Sequence, residues 1–191
     1  MLAAMSTVTA ILPERMTSRE FRAWAGDRPE GERYELVAGE VVAMAPERAS
    51  HNRIKLSIAL ALRAAVQAAG LPCQTFTDGM AVVIDDETTY EPDAMVRCGE
   101  PVSDEATVVT DPMIVVEVVS PSSGGADSGG KLADYFKLPS VQHYLVVRPR
   151  KRSVVHHRRG GDGRIETSII AGSTLELTPP GISVQVASFF D

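Results

Sequence analysis

Met113-Ile-Val-Val-Glu117-Val-Val119 is the stretch on which the reading of this chain turns. Its β-branched residues favour a strand, and an apolar run without alternation marks a strand covered on both faces at the centre of a sheet. One carboxylate interrupts the run. A charge in such surroundings is strongly unfavourable unless a cation or hydrogen-bond donors compensate it. Glu117 therefore needs partners, and the sequence on either side supplies candidates.

Upstream stands Glu91-Pro92-Asp93. Pro92 fixes its own φ and disfavours helix at Glu91, so Asp93 opens a strand over 93–97 with its side chain at the sheet edge. If this strand neighbours the one carrying Glu117, two carboxylates converge and repel one another until a divalent ion binds. Oxygen donors of this kind favour Mg2+ or Mn2+ over zinc, because no histidine or cysteine stands at matching spacing. The backbone carbonyl of Val118 is the simplest further donor. Downstream, residues 120–130 read as a polar Gly/Ser-rich loop, 131–138 as a helix that Pro139 ends, and 142–147 as another strand. A lysine two positions after the glutamate would share its strand face, but position 119 is valine. Lys131 can substitute only if its stem reaches back across that face, where an ammonium would orient a water or offset developing negative charge.

The rest of the chain supports a sheet flanked by helices. Thr17-Ser-Arg-Glu20 is a capping box, and Phe21 and Trp24 give an apolar face to a short helix ending near Gly26. A hairpin over 33–37 and 40–44 turns at Ala38-Gly39. Ser50 is the expected cap of the longest helix, whose stripe of Ile54, Ile58, Ala61, Leu62 and Ala65 ends at Gly70. Further strands are expected over 73–77, 80–84, 153–157, 165–170, 174–177 and 183–187. Residues 1–12 read as a flexible tail and 13–191 as one domain.

With 191 residues, 44% hydrophobic, the chain is long enough to bury a core without disulfides or a structural metal. No run is long enough to span a bilayer, and no basic n-region opens a signal peptide, so a cytoplasmic location is expected with no membrane partner. Cys73 and Cys98 are too few for a thiolate zinc cage and are expected to be reduced packing residues. A net charge of −6 argues against nonspecific coating of nucleic acid. The one basic concentration, Arg148-Pro-Arg-Lys-Arg152 with Arg158 and Arg159, reads either as a phosphate-tracking surface or as a solvated strand-turn-strand.

Taken together, Tyr34-Glu-Leu-Val-Ala-Gly-Glu40, His51, Pro92-Asp93, Glu117-Val-Val-Ser-Pro121, Asp127, Lys131, Tyr135 and Val141-Gln-His-Tyr144 resemble the Uma-two family of restriction endonucleases, in the PD-(D/E)xK superfamily. The resemblance spans roughly residues 17–190. It implies an α/β fold, a restriction-endonuclease-like mixed β-sheet flanked by helices with extra N- and C-terminal strands. It further implies that Asp93 and Glu117 are metal ligands, that Lys131 is a displaced catalytic lysine and that Glu35 is another acid near the site. The same resemblance implies a Mg2+-dependent (or Mn2+-dependent) homodimer acting on DNA. One departure is the strand after the lysine helix, where Glu-Tyr-Trp is replaced by His143-Tyr144-Leu145 and the closing aspartate by Arg148.

Blander readings stand beside these. Glu35 fits equally the wet face of a hairpin, His51 reads as a polar helix-start residue, and His156 and His157 point to opposite faces of their strand. A nuclease fold without chemistry would serve as a dimeric binding module. A third reading takes residues 125–131 as a phosphate-binding loop, although Leu132 stands where serine or threonine would hold magnesium.

Overall fold

The computed structural model describes residues 15–29, 31–120 and 127–191. The tail expected over 1–12 and most of the loop expected over 120–130 lie outside the described residues. Helix α1 (Ser18–Gly26) is closed by its capping box, the Glu20 N–H donating to Thr17 Oγ1 and the Thr17 N–H to Glu20 Oε2. Strands β1 (Tyr34–Val37) and β2 (Glu40–Ala43) form the expected hairpin. Its turn residues Ala38 and Gly39 both take positive φ (49° and 83°), which a two-residue turn matching the strand twist requires.

Helix α2 (Ala49–Ala68) precedes β3 (Cys73–Thr77), the hairpin β4 (Val82–Asp85) and β5 (Thr88–Tyr90), then β6 (Ala94–Cys98) and β7 (Ile114–Val118). Helix α3 (Asp127–Tyr135) leads to β8 (His143–Arg148), β9 (Ser153–Arg159), β10 (Ile165–Ile170), β11 (Thr174–Leu177) and β12 (Ile182–Gln185). The main sheet has the order β10-β9-β8-β7-β6-β3; a smaller one has the order β2-β1-β5-β4, and β11-β12 pair alone. Inside the main sheet β7 lies between antiparallel β6 and parallel β8, as its unbroken apolar sequence requires.

The period of two along β7 sorts its side chains. Ile114, Val116 and Val118 join the core with Ile58, Leu62 and Val66 of α2 and with the C-terminal Leu175, Leu177, Ile182 and Phe189. Val115 packs on the opposite face, among Tyr135, Phe136, Tyr144 and Val146. Glu117 shares the parity of Val115 and so faces α3. Each fully buried aliphatic side chain in these layers contributes roughly 1.5–3 kcal/mol, enough to hold a charged group on the strand between them.

Several expectations need correction. Arg48, not Ser50, is the N-cap of α2 and makes no side-chain cap bond; Ser50 lies within the first turn. The helix expected from 131 begins at Asp127, so Gly129 and Gly130 are helical. Strand β5 was not expected and completes a hairpin around Asp85-Asp86-Glu87. Cys73 and Cys98 are not reduced: they form a disulfide, because the β3–β6 register sets them directly opposite one another.

The basic stretch divides as well. Arg159 donates to the carbonyls of Phe136, Leu138 and Val141, each at 2.9 Å, and so closes the C-terminal side of α3. Arg158 pairs with Glu166 across β9–β10, and Arg152 donates to the Phe190 carbonyl.

His143 and His156 form a buried pair. Pro179 O, 2.7 Å from His143 Nε2, can only accept, so His143 donates there, and its Nδ1 accepts from His156 Nε2–H at 2.8 Å. Burial pushes both imidazoles down to about 4, with a smaller repulsion from Arg158. A histidine whose folded pKa lies below its unfolded value of about 6.5 contributes no penalty above that pH and progressively destabilises as pH falls toward 4. That displacement corresponds to about 3 kcal/mol per group. Unfolding followed from pH 7 to 4 should therefore show a shallower loss of stability in His156→Leu than in the parent chain. Equal slopes would mean that the pair does not titrate on unfolding.

Candidate functional site

Three charged side chains meet on the α3 side of β7. Lys131, in the second turn of α3, extends its stem so that Nζ lies 2.8 Å from Glu35 Oε1 and 3.2 Å from Glu117 Oε1. Tyr135, one turn further on, donates to the same Glu117 oxygen at 2.8 Å. The Tyr90 ring lies 4.8 Å beneath the ammonium, and its hydroxyl donates to Asp134. Burial raises Glu117 to about 7; Lys131 and Tyr135 pull it down, while Asp93 and Glu35 push it further up. For Lys131, burial is outweighed by Glu117 and Glu35, which hold the ammonium above its ordinary value.

Glu35 is brought here by the small sheet. Leu36 of β1 pairs with Thr89 of β5, and the Glu91 N–H donates to Glu35 Oε1 at 3.0 Å. After Glu91 the chain passes through Pro92 into the main sheet, with Asp93 immediately before β6. Asp93 is buried, and its Oδ2 accepts from the Val118 N–H at 2.6 Å. Its other oxygen faces α2, where His51 Nε2 lies at 3.5 Å and Lys55 Nζ at 3.7 Å. The bond to Asp93 holds His51 above its ordinary pKa against the effect of burial.

His51 and Lys55 continue backward the core stripe of Ile58, Leu62 and Val66, so the last two polar turns of that stripe meet the acids. Lys55 Nζ bonds Asp78 at 2.7 Å and also Glu47. Arg33 reaches Asp78, Glu47 and Glu91 at 2.7, 3.3 and 2.5 Å. Burial would lower Lys55, but Asp78 and Glu47 outweigh it; Asp78 in turn is held low by Lys55 and Arg33 despite its own burial. The connected network thus holds six carboxylates (Glu35, Glu47, Asp78, Glu91, Asp93, Glu117) against three permanent cations (Arg33, Lys55, Lys131). With all six carboxylates ionised and His51 neutral, three negative charges are left over; a proton on Glu117 or on His51 reduces that surplus.

Among the described residues, Glu47, His51 and Asp93 form the one group of three or more potential ligand side chains whose donor atoms lie within 4.8 Å of one another. Glu117 stands beside this group on the next strand. The structure therefore brings Glu35, Asp93, Glu117 and Lys131 into one network, and sets Val118 on Asp93 through its N–H. His51 belongs to that network and is not a plain helix-start residue. Sequence reading missed Glu47, Lys55, Asp78 and Arg33. Lys55 carried a signal, since a lysine on an apolar helix stripe is as anomalous as Glu117 on its strand. The phosphate-loop reading fares poorly, because Gly129 and Gly130 are helical and Lys131 faces two carboxylates.

A mixed sheet flanked by helices, with clustered acids and a lysine at the ends of two central strands, is a nuclease fold. The chain belongs to the Uma2 family, described as "Putative restriction endonuclease", whose family model it matches over residues 18–187. Two Synechocystis sp. (strain ATCC 27184 / PCC 6803 / Kazusa) proteins are similar to it, both bearing the name uncharacterized protein. One is sll1609, 27% identical over 149 residues, 76% of this chain and 83% of that protein. The other is slr1290, 27% identical over 174 residues, 90% of each chain. Among solved structures, "a putative nuclease belonging to DUF820" from Anabaena variabilis ATCC 29413 shares the fold. Its TM-score is 0.74 at 15% identity, over 92% of this chain and 97% of that one. Family and fold together support a nuclease.

Removing Lys131 leaves the buried Glu35 and the half-buried Glu117 without their cation, a change that costs about 3–5 kcal/mol at fully buried pairs. Lys131→Met should lower unfolding stability by that order, and adding Glu117→Gln should restore part of it. A loss under about 1 kcal/mol, typical of an exposed pair, would contradict the buried geometry.

Proposed function

We propose that this chain is a divalent-metal-dependent DNA endonuclease, that residues 13–191 form its single nuclease domain, and that it acts as a homodimer. The observation that carries the reading is the surplus of negative charge around Asp93, beside donor atoms of Glu47 and His51 that suit a cation. Asp93 and Glu117 are the proposed metal ligands, with the Val118 carbonyl. The N–H and C=O of a strand residue leave on the same side, which turns that carbonyl toward Asp93 as well. Mg2+ or Mn2+ fits these oxygen donors, and the His51 nitrogen favours Mn2+ of the two.

When bound, the ion supplies a Lewis acid for the phosphodiester and lowers the pKa of a coordinated water. The chain's own groups do the rest. The Val118 N–H fixes Asp93 Oδ2 and leaves Oδ1 for binding. Tyr135 sets the orientation of the Glu117 carboxylate. Glu35 holds Lys131 so that its ammonium can face negative charge building on the phosphate. Ile165 and Ile169 on the edge strand β10 are 40% and 68% exposed, which supports pairing with a second copy.

Purified protein with Mg2+ or Mn2+ should nick or cut DNA and elute at twice the chain mass. Asp93→Ala and Glu117→Ala should each abolish cutting while the fold persists by circular dichroism. Cleavage that survives both changes would remove the assignment, and a monomer in light scattering would remove the dimer.

A further inference from the structure

Lys55 is a buried cation that the proposed chemistry leaves unused. It is 2% exposed, sits on the core-facing stripe of α2 one turn after His51, and is surrounded by carboxylates of three different segments. The half-buried Arg33 already serves Asp78 and Glu47, so pairing those two acids does not by itself call for a second cation. What Lys55 adds is positive charge beside Asp93 Oδ1. That oxygen is the open one, because Oδ2 is committed to the Val118 N–H. One flank of Oδ1 is occupied by the imidazole of His51 and the other by the ammonium of Lys55.

Sites that hold two metal ions space them about 3.5–4 Å apart and share a carboxylate between them. An ammonium 3.7 Å from that oxygen stands beyond the roughly 2 Å of a metal–oxygen bond, on the flank from which a second ion would approach Oδ1, and its charge repels that ion. Being tethered to α2 and held by Asp78 and Glu47, it cannot dissociate as a free ion would. We propose that Lys55 is a built-in cation filling the second cation position beside Asp93, so that each chain binds a single divalent ion. The inference rests on the metal-dependent reading above and concerns the capacity of that same site. With Lys55 in place, all six carboxylates ionised and His51 neutral, the surplus charge left by one divalent ion is minus one; a second ion would leave the network net positive.

The test is a Mn2+ titration of the full chain, followed by calorimetry and by the electron paramagnetic resonance signal of free Mn2+. The parent chain should take up one ion. Lys55→Met should take up two, and Glu47→Gln added to it should return the count to one. Two ions on the parent chain would overturn the inference and leave the metal-dependent reading intact. No ion on the parent chain would instead remove that reading. An unchanged count of one in Lys55→Met, or loss of the single ion, would also overturn the inference, since Lys55 would then be only a strut of the network. Should Lys55→Met not fold, Lys55→Gln takes its place with the same opposed outcomes.

Discussion

A carboxylate on the middle strand of a covered sheet survives only if positive charge reaches it from outside the sheet, and most of this structure is arranged around that need. Val115 and Glu117 face α3, while Ile114, Val116 and Val118 face α2. Lys131 can meet Glu117 because α3 returns over the strand it follows, which the parallel pairing of β7 and β8 makes obligatory. Once there, the ammonium needs a second acid to balance its own burial. Glu35 comes from the small sheet through the pairing of β1 and β5, and the Glu91 N–H locks it in place. The smaller sheet is thus part of the site and not an appendage.

The anomaly of Glu117 was visible in the sequence because a charge in a run of β-branched residues has few innocent explanations. Asp93 followed from proline geometry, and most strands from period and turn residues. The register between β6 and β7, which sets these acids side by side, follows from pairing that no local pattern encodes. Lys131 could be named but not positioned, since its reach depends on how α3 docks. Glu47, Asp78 and Arg33 escaped notice for a different reason: charged residues in turns and at strand ends are usually solvated, and only the meeting of α2 with the Asp78 turn gives them buried partners. The Cys73–Cys98 bond escaped because 25 residues separate the two cysteines and their opposition is a matter of strand register.

Lys55 and His51 were legible in principle. Read backward from Val66 through Leu62 and Ile58, the helical stripe lands on both. A stripe that changes from apolar to ionisable over its first two turns points to a place where the core gives way to a polar cluster. The two buried lysines then have distinct duties: Lys131 serves Glu117 from α3, and Lys55 serves Asp93 from α2. Between them lies the negative charge that the chain does not neutralise by itself.

Crystals grown with Mn2+ and recorded at the manganese absorption edge would locate that missing charge most directly. An anomalous peak in contact with Asp93 Oδ1 and within reach of Glu117 and His51 is the expected result. A well-ordered site with no peak there, or with manganese bound only at carboxylates outside this network, would contradict the view that the network is built to hold a divalent ion.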